Sequence, residues 1–580
     1  MDRRRFLRTA GAGAAGLAAA SALPDVLRAG GGSANRPNVL VILADDMGFS
    51  DLGCYGATEI ETPNLDRLGN DGQRFTQFYN AARCSPTRAS LLTGLYPHQA
   101  GVGWLAGNAF GGDDAPPGYV GHLNDDCVTM GEALGTAGYE TMMVGKWHVG
   151  SPGNDTTPWQ RGFQRYFGRP TGAHYWKTSG LRLDGEPFTP SGEGGDPFYL
   201  TDAQGHFASR FIRENREQRP EQPFLMYLAF NAPHFPIHAR EDDVARYRGR
   251  FAMGWDELRR RRFEKMTAEG IIPEGTTLPS RDPAIPAWDD VPADEQDDWA
   301  LKMAVYAAMV DRMDRNVGRV LDTLEATGAL DDTLILFVSD NGASAEGIGL
   351  KNDQIGTDGG TPPGGPDTFQ GYLLPWAHVS DTPFRLYKHF TQEGGIATPM
   401  IAHWPAGMGD AQKGSITDET GHVMDVMATA LDVAGVSYPD RYDGRTLTPM
   451  EGKSLRPVLE SGSREGHDRI FWEHEGKRAV REGDWKLVSH HEAQDEALYD
   501  WWQFSPRSRP RDLDGAWRLY NLAEDRTELN DLSGEYPERV EQMAAAYAAW
   551  AERSNVRPWS EVVCHHKADR FNALCQSDQD

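Results

Sequence analysis

Apolar residues along the chain form two kinds of run. One kind is short and unbroken: Asn38 to Ala44 has the length and β-branched content of a strand buried on both faces. Tyr139 to Val144, Phe224 to Phe230 and Thr333 to Val338 are of the same kind. The other kind is periodic. Tyr306, Val310, Met313, Val317, Val320 and Leu324 recur at helical spacing, which predicts a long amphipathic helix from about Asp298 to Thr327, closed by Gly328. Shorter helices are expected from Thr62-Pro63 through Leu65, Leu68 and Asp71, and from about Thr129 to Ala137 with Gly138 as the stop. Strands alternating with helices predict an α/β fold, a mostly parallel sheet flanked by helices. A polar cluster follows each strand: Asp45-Asp46, Gly145-Lys146-Trp147-His148, Asn231-Ala232-Pro233-His234 and Ser339-Asp340-Asn341. Open α/β sheets place their sites beyond these carboxyl ends.

Two stretches break the alternation. Arg240 to Asp297 is rich in charge and proline and reads as a surface insertion. Gly342 to Pro383 is rich in Gly and Pro, lacks periodicity and leads to Lys388, which suits a loop that shapes a substrate site. After about Arg456 the pattern changes. Ile470 to Trp472, Lys477 to Arg481, Trp485 to Val488 and Trp517 to Leu522 read as short strands, and Pro537 to Arg553 as an amphipathic helix. A chain of 580 residues is too long for one core. The expected division is an export signal and linker over 1–34, a main domain over 35–455 with insertions at about 240–297 and 342–383, and a smaller α+β domain on a short antiparallel sheet over 456–580.

Composition narrows the partners. The chain is 39% hydrophobic and 10% aromatic, as a folded globular protein should be. Its formal charge of −27 argues against nucleic acid or an anionic membrane as partner. Arg3-Arg4-Arg5-Phe6-Leu7, the apolar run Ala10 to Ala20 and the small-residue site Ala20-Ser21-Ala22 form a twin-arginine export signal. The expectation is passage through the twin-arginine translocase to the periplasm or beyond. No later stretch reaches the ~18 apolar residues of a spanning helix, so no membrane partner is expected after cleavage. The cysteines are Cys54, Cys84, Cys127, Cys564 and Cys575, an odd count that marks one thiol for another task. Cys564 and Cys575 are near enough in sequence to pair. Cys564-His565-His566 reads as a polar tail, since no second ligand pair follows.

The densest chemistry lies at Cys84-Ser85-Pro86-Thr87-Arg88-Ala89-Ser90-Leu91-Leu92-Thr93-Gly94. Ser85 is a good N-cap and Pro86 suits the first helical position. Cys84 then sits just ahead of a helix N-terminus, which favours a thiolate or an anionic substrate group there. Arg88, one turn on, returns to the same spot. An isolated cysteine so placed would read as a core residue. Asp45, Asp46, Asp340 and Asn341 offer four oxygen donors without a His or Cys, a set suited to Ca²⁺ or Mg²⁺. An Asp pair standing alone would read as a turn.

Cys84-x-Pro86-x-Arg88 followed by Leu92-Thr93-Gly94 resembles the signature of the type I sulfatases of the alkaline phosphatase superfamily. Gly138-Tyr139-x-Thr141-x-x-Val144-Gly145-Lys146-Trp147-His148 resembles the second signature of that family. Asn231-Ala232-Pro233-His234 resembles its leaving-group histidine segment, and Lys388 ahead of Glu393-Gly394-Gly395 resembles its second sulfate-binding lysine. The resemblance implies an alkaline-phosphatase-like fold and an arylsulfatase-like activity on an aryl sulfate or sulfated carbohydrate. It implies that Cys84 is converted to Cα-formylglycine by a formylglycine-generating enzyme. It also implies one Ca²⁺, in preference to Mg²⁺, on Asp45, Asp46, Asp340, Asn341 and the modified residue 84. By the same resemblance, Arg88 lowers the pKa of the aldehyde hydrate, one hydroxyl of which attacks sulfur to give a sulfoenzyme. Lys146 and Lys388 hold the sulfate, His234, alone or with Lys388, protonates the leaving oxygen, and His148 takes the proton whose loss expels sulfate. Two other readings remain open: a phosphate or phosphonate monoester hydrolase of the same superfamily, and a non-catalytic anion-binding protein. Trp104, His174, Tyr175 and Trp176 suit either the lining of an entrance or packing.

Overall fold

The computed structural model describes residues 36–107, 115–172, 174–346, 361–491 and 515–564. The expected export signal and the tail from His565, with Cys575, lie outside these residues. Strands of the main domain are β1 (Asn38–Asp45), β2 (Gln73–Phe75), β3 (Phe78–Tyr79), β4 (Glu140–Gly145), β5 (Arg165–Gly168), β6 (Arg182–Leu183), β7 (Glu186–Pro187), β8 (Phe224–Pro233), β9 (Thr333–Ser339), β10 (Met400–His403) and β11 (Ser415–Thr417). All but β3 join one sheet, in the order β11-β2-β10-β9-β1-β8-β4-β5-β6-β7. The run β9-β1-β8-β4-β5 is parallel, and β10 pairs antiparallel with β9.

Alternation along each strand sorts the apolar residues onto two faces. Leu40, Ile42 and Ala44 of β1, with Met226 and Leu228 of β8 and Phe337 of β9, enter one core. Val39, Val41 and Leu43, with Leu225 and Tyr227 and with Leu336, enter the other. The first core is covered by α1 (Pro63–Asp71), α4 (Leu200–Gln218) and α7 (Ala293–Ala326), the second by α2 (Cys84–Thr93) and α3 (Met130–Thr136). Helix α3 begins where the sequence places it: Thr129 accepts from the Glu132 N–H and Glu132 reaches back to the Thr129 N–H. Helix α7 starts earlier than the periodicity indicates, because Pro292 and the acidic turn Asp294-Glu295 open it ahead of the apolar stripe.

The stretch from Arg240 to Asp297 differs from the expected surface insertion. It contains α5 (Glu241–Tyr247) and α6 (Gly254–Ala268), and it packs into the first core through Tyr247, Trp255, Leu258, Met266, Ile271 and Ile285. Trp255 meets Trp288, Trp299 and Trp376 at centroid distances of 4.6, 5.6 and 5.6 Å. The apolar stripe of α6 is masked in sequence because Arg259 and Arg262 also face inward. Arg262 is fully buried and donates to Asp51 at 2.7 Å. The Gly/Pro-rich stretch likewise holds a helix, Leu373–Ser380, with Trp376 buried.

The smaller sheet forms as expected: Ile470–His474, Lys477–Glu482, Trp485–Ser489 and Arg518–Asn521 pair antiparallel in that order. The helix Pro537–Arg553 buries Met543, Tyr547 and Trp550 against Phe471, Val480, Leu487 and Leu519. Tyr96 and Met424 of the main domain join the same cluster, so the two parts share apolar contacts. Among the described residues no helix is long and apolar enough to cross a membrane.

Candidate active site

The strand order sets four polar clusters side by side. Asp45 ends β1 and Asp46 follows it. Asp340 and Asn341 follow β9 on one flank, His234 follows β8 on the other, and Lys146 and His148 follow β4 beyond that. Helix α2 begins at Cys84 itself, with Arg83 as N-cap rather than Ser85. The Ser85 hydroxyl instead accepts from the Ala106 N–H at 3.1 Å, and Pro86 still falls within the first turn, where its missing N–H costs nothing. Asp46, Ala82, His148 and His389 take positive φ values of 69°, 62°, 57° and 81°. Non-glycine residues in this region cost about 1–3 kcal/mol each and gather where a site dictates the backbone.

The side chains interlock. Fully buried Arg88 donates to Asp340 from Nε at 3.1 Å and from Nη2 at 2.8 Å, and to the Lys146 carbonyl from Nη1 at 2.7 Å. Its Nη2 also lies 3.4 Å from Asp45 Oδ1. Lys146 Nζ donates to Asp45 at 2.7 Å, and Lys388 Nζ lies 2.8 Å from Asp46 Oδ1. Asn341 donates to Asp46 at 2.8 Å, and His234 Nε2 lies 3.5 Å from Asp46 Oδ2. The structure therefore brings together the residues expected to carry the chemistry: Asp45, Asp46, Arg88, Lys146, His234, Asp340, Asn341 and Lys388, with Cys84 and His148 within their electrostatic reach.

The donor set fits a hard cation. Oxygens of Asp45 and Asp46 and a nitrogen of His234 lie within 4.8 Å of one another. Asp45 Oδ1 and Asn341 Oδ1 are buried acceptors without a hydrogen-bond donor. Burial and the charges of Asp45 and Asp46 push the Asp340 carboxyl up to about 7, against the pull of Arg88. A divalent ion would relieve that repulsion and use the oxygens that accept no hydrogen bond. Lys146, His234 and Arg88 hold Asp45 well below the usual carboxylate range although burial opposes them. Both lysines are held charged despite burial, Lys146 chiefly by Asp45 and Lys388 by Asp46 and Glu346. Burial, reinforced by Lys146 and Arg88, drives His148 well below its ordinary value and keeps it a neutral base.

The helix N-terminus favours negative charge at Cys84, and burial pushes the thiol itself up, outweighing Lys146 and Lys388. Of the aromatic group, Trp104 and Tyr175 are buried packing residues. The Tyr175 hydroxyl lies 2.6 Å from the Asn231 carbonyl and 2.8 Å from that of His234, which fixes the histidine's turn. Sequence reasoning missed Arg83, Glu346, His389 and Glu475, all buried beside the site. Arg83 and His389 adjoin Cys84 and Lys388 in sequence, and that adjacency was the available signal. Nothing local marks Glu346 or Glu475.

Buried acids at the ends of parallel strands, facing two lysines, an arginine and two histidines, define a hydrolase of anionic esters. The sulfatase family model matches residues 37–436. An uncharacterized sulfatase of Schizosaccharomyces pombe is 34% identical over 556 residues, covering 90% of this chain and 94% of that protein. An arylsulfatase of Klebsiella aerogenes is 34% identical over 468 residues, covering 76% and 96%. The solved structure of Ps i-CgsB in complex with k-i-k-neocarrahexaose superposes with a TM-score of 0.64 at 22% identity, covering 94% of this chain and 98% of that one, and shares the fold. The chain belongs to the sulfatase family and is a sulfuric ester hydrolase.

Proposed function

We propose that the protein is an exported sulfatase that cleaves aryl or saccharide sulfate monoesters, with Cys84 converted to formylglycine and one Ca²⁺ on Asp45, Asp46, Asp340 and Asn341. The observation that carries this reading is the place of Cys84. It opens a helix among charged Lys146, Lys388 and Arg88, beside the carboxylate cluster. A buried neutral thiol is a poor nucleophile at neutral pH, so conversion gives this position its chemistry. A formylglycine hydrate at residue 84 would supply an oxygen nucleophile with a second hydroxyl for product release, and a cation held by Asp45, Asp46, Asp340 and Asn341 would supply Lewis-acid charge.

The chain's own residues do the remainder. Lys146 and Lys388 place two ammonium groups around the sulfate and stabilise the charge that develops there. Arg88 fixes Asp340 and the Lys146 backbone in register. His148, held low by burial and by Lys146 and Arg88, is the base that accepts the proton. Burial lowers His234 as well, so it donates to the leaving oxygen only once the negative charge of the ester raises it. Its ring stacks on Phe235 at 4.6 Å, and half-exposed Phe369 meets Phe235 edge-on at 6.1 Å. These rings give the leaving group a flat apolar rest, suited to an aryl ring or a sugar face.

Purified protein from a host with formylglycine-generating enzyme should react at residue 84 with an aldehyde probe and release sulfate from nitrophenyl sulfate. Faster turnover of nitrophenyl phosphate, or an unmodified thiol in fully active protein, would overturn the reading. Recovery of the cleaved, mature chain from the periplasm only when Arg3 and Arg4 are intact would support twin-arginine export.

A further inference from the structure

Behind Lys388 and Cys84 lies a buried lattice of charges that none of the roles above uses. Lys388 Nζ donates to Glu346 Oε2 at 2.7 Å, so its ammonium is held between Glu346 and Asp46. The other oxygen of Glu346 receives Arg83 Nη2 at 3.3 Å and lies 2.9 Å from His389 Nε2. Arg83 Nη1 lies 2.9 Å from His389 Nδ1, so that nitrogen accepts and Nε2 carries the hydrogen donated to Glu346. Arg83 Nη1 also donates to Glu475 Oε1 at 2.6 Å. Glu475 stands in the turn between the first two strands of the small sheet and accepts from Trp104 Nε1 at 2.8 Å. His389, His474 and Glu475 lie close enough together to suggest a second metal centre. Arg83 and Lys477 already sit among them as the counter-charges, at 2.6 and 3.3 Å from Glu475, so the cluster is an ion-pair lattice.

We infer that Glu346 is a positioning residue for catalysis: it ties Lys388 on one wall of the sulfate pocket to Arg83, the residue before Cys84, on the other, with Glu475 of the C-terminal sheet bracing Arg83 from behind. This rests on the sulfatase reading above. One carboxylate that receives the sulfate-binding lysine, its neighbour His389 and the N-cap of the Cys84 helix fixes the spacing of the groups that must close on the ester. It also keeps a carboxylate against Lys388 Nζ at 2.7 Å, so the ammonium stays aimed when Asp46 turns its oxygens to a cation. Rigid second partners of this kind tune the groups they hold without touching substrate.

The test compares Glu346→Gln and Glu346→Asp in the full, formylglycine-containing chain. Glutamine copies the shape but points an N–H at donors, whereas aspartate keeps the charge on a stem one methylene shorter. With nitrophenyl sulfate, and with rates normalised to the folded fraction, kcat for Glu346→Gln should fall roughly 10- to 100-fold with KM little changed. Glu346→Asp should recover more of the rate than the better-shaped Gln. Glu475→Gln should lower kcat in the same sense, and it reads the lattice from the far side should Glu346→Gln fold poorly. The proposal falls if the folded Gln variant matches wild type, if Gln outperforms Asp, or if only the melting temperature moves. Absence of sulfatase activity in the wild-type chain would instead overturn the reading on which it rests.

Discussion

Replacing Arg88 by lysine keeps the charge and removes the fork, which makes it a sharp test of how the site is held. The guanidinium reaches Asp340 twice and the Lys146 carbonyl once, with Asp45 alongside, all without solvent. A compact ammonium on a shorter stem meets Asp340 or the carbonyl, not both. Two charge-assisted hydrogen bonds are then lost, at about 1.5–3 kcal/mol each, or about 3–6 kcal/mol together. In a large domain about 2 °C accompanies each kcal/mol, so the melting temperature should drop by about 6–12 °C. Part of the loss belongs to the transition state, because the same fork sets Asp340 against the backbone of Lys146. A share on the order of 3 kcal/mol lowers kcat/KM roughly 10²-fold. Thermal melts followed by circular dichroism and initial rates on nitrophenyl sulfate, referred to the aldehyde content at residue 84, give both numbers. Arg88→Met should be worse still, since it leaves buried Asp340 without its paired cation and leaves Asp45 with Lys146 alone. An Arg88→Lys protein with wild-type melting temperature and wild-type kcat/KM would refute the reasoning.

Chelation should lower both melting temperature and turnover, calcium should restore them, and Asp340→Asn should reduce bound metal as measured by elemental analysis. In cation-free protein Asp340 is raised to about 7, so below that pH a proton must leave as the ion binds. Calcium affinity, read by calorimetry, should therefore fall as pH drops through that range and level off above it, and Asp340→Asn should flatten the slope. Cys84→Ala should abolish sulfate release and aldehyde labelling while the circular dichroism spectrum stays that of wild type, because residue 84 is asked for chemistry rather than packing. Phe369→Ala should raise KM for nitrophenyl sulfate more than for a small alkyl sulfate, since its half-exposed ring flanks the leaving-group side.

How far these groups could be read from the chain depended on whether the information was local. The unbroken run Asn38 to Ala44 announces a strand covered on both faces, and β1 is such a strand, so Asp45 and Asp46 could be placed at a sheet end from their neighbours alone. The same holds for Asp340 and Asn341 after β9 and for Lys146 after β4. Helix α6 failed that test because Arg259 and Arg262 occupy its inward face, and a buried arginine looks like surface until its partner Asp51 is known. The state of Cys84 is not local information either: a helix N-terminus favours negative charge there, while desolvation pushes the thiol up, and its size depends on what the rest of the fold lays over the site.

Glu346 and Glu475 carry the same lesson into function. Each is an ordinary acid in sequence and becomes specific only through pairing, Glu475 across 392 residues to Arg83. An unpaired buried carboxylate or guanidinium costs several kcal/mol, so neither partner is tolerable at its position without the other. The C-terminal sheet is therefore bound into the active site by charge as well as by the apolar cluster around Tyr96 and Trp550. Arg83 and Trp104 of the main domain both donate to Glu475. A small domain that only covered the large one would bury its apolar face and leave its hairpin turn to water. Here the turn carries a buried carboxylate to the residue before Cys84, which makes it part of the wall beside the residue proposed as nucleophile.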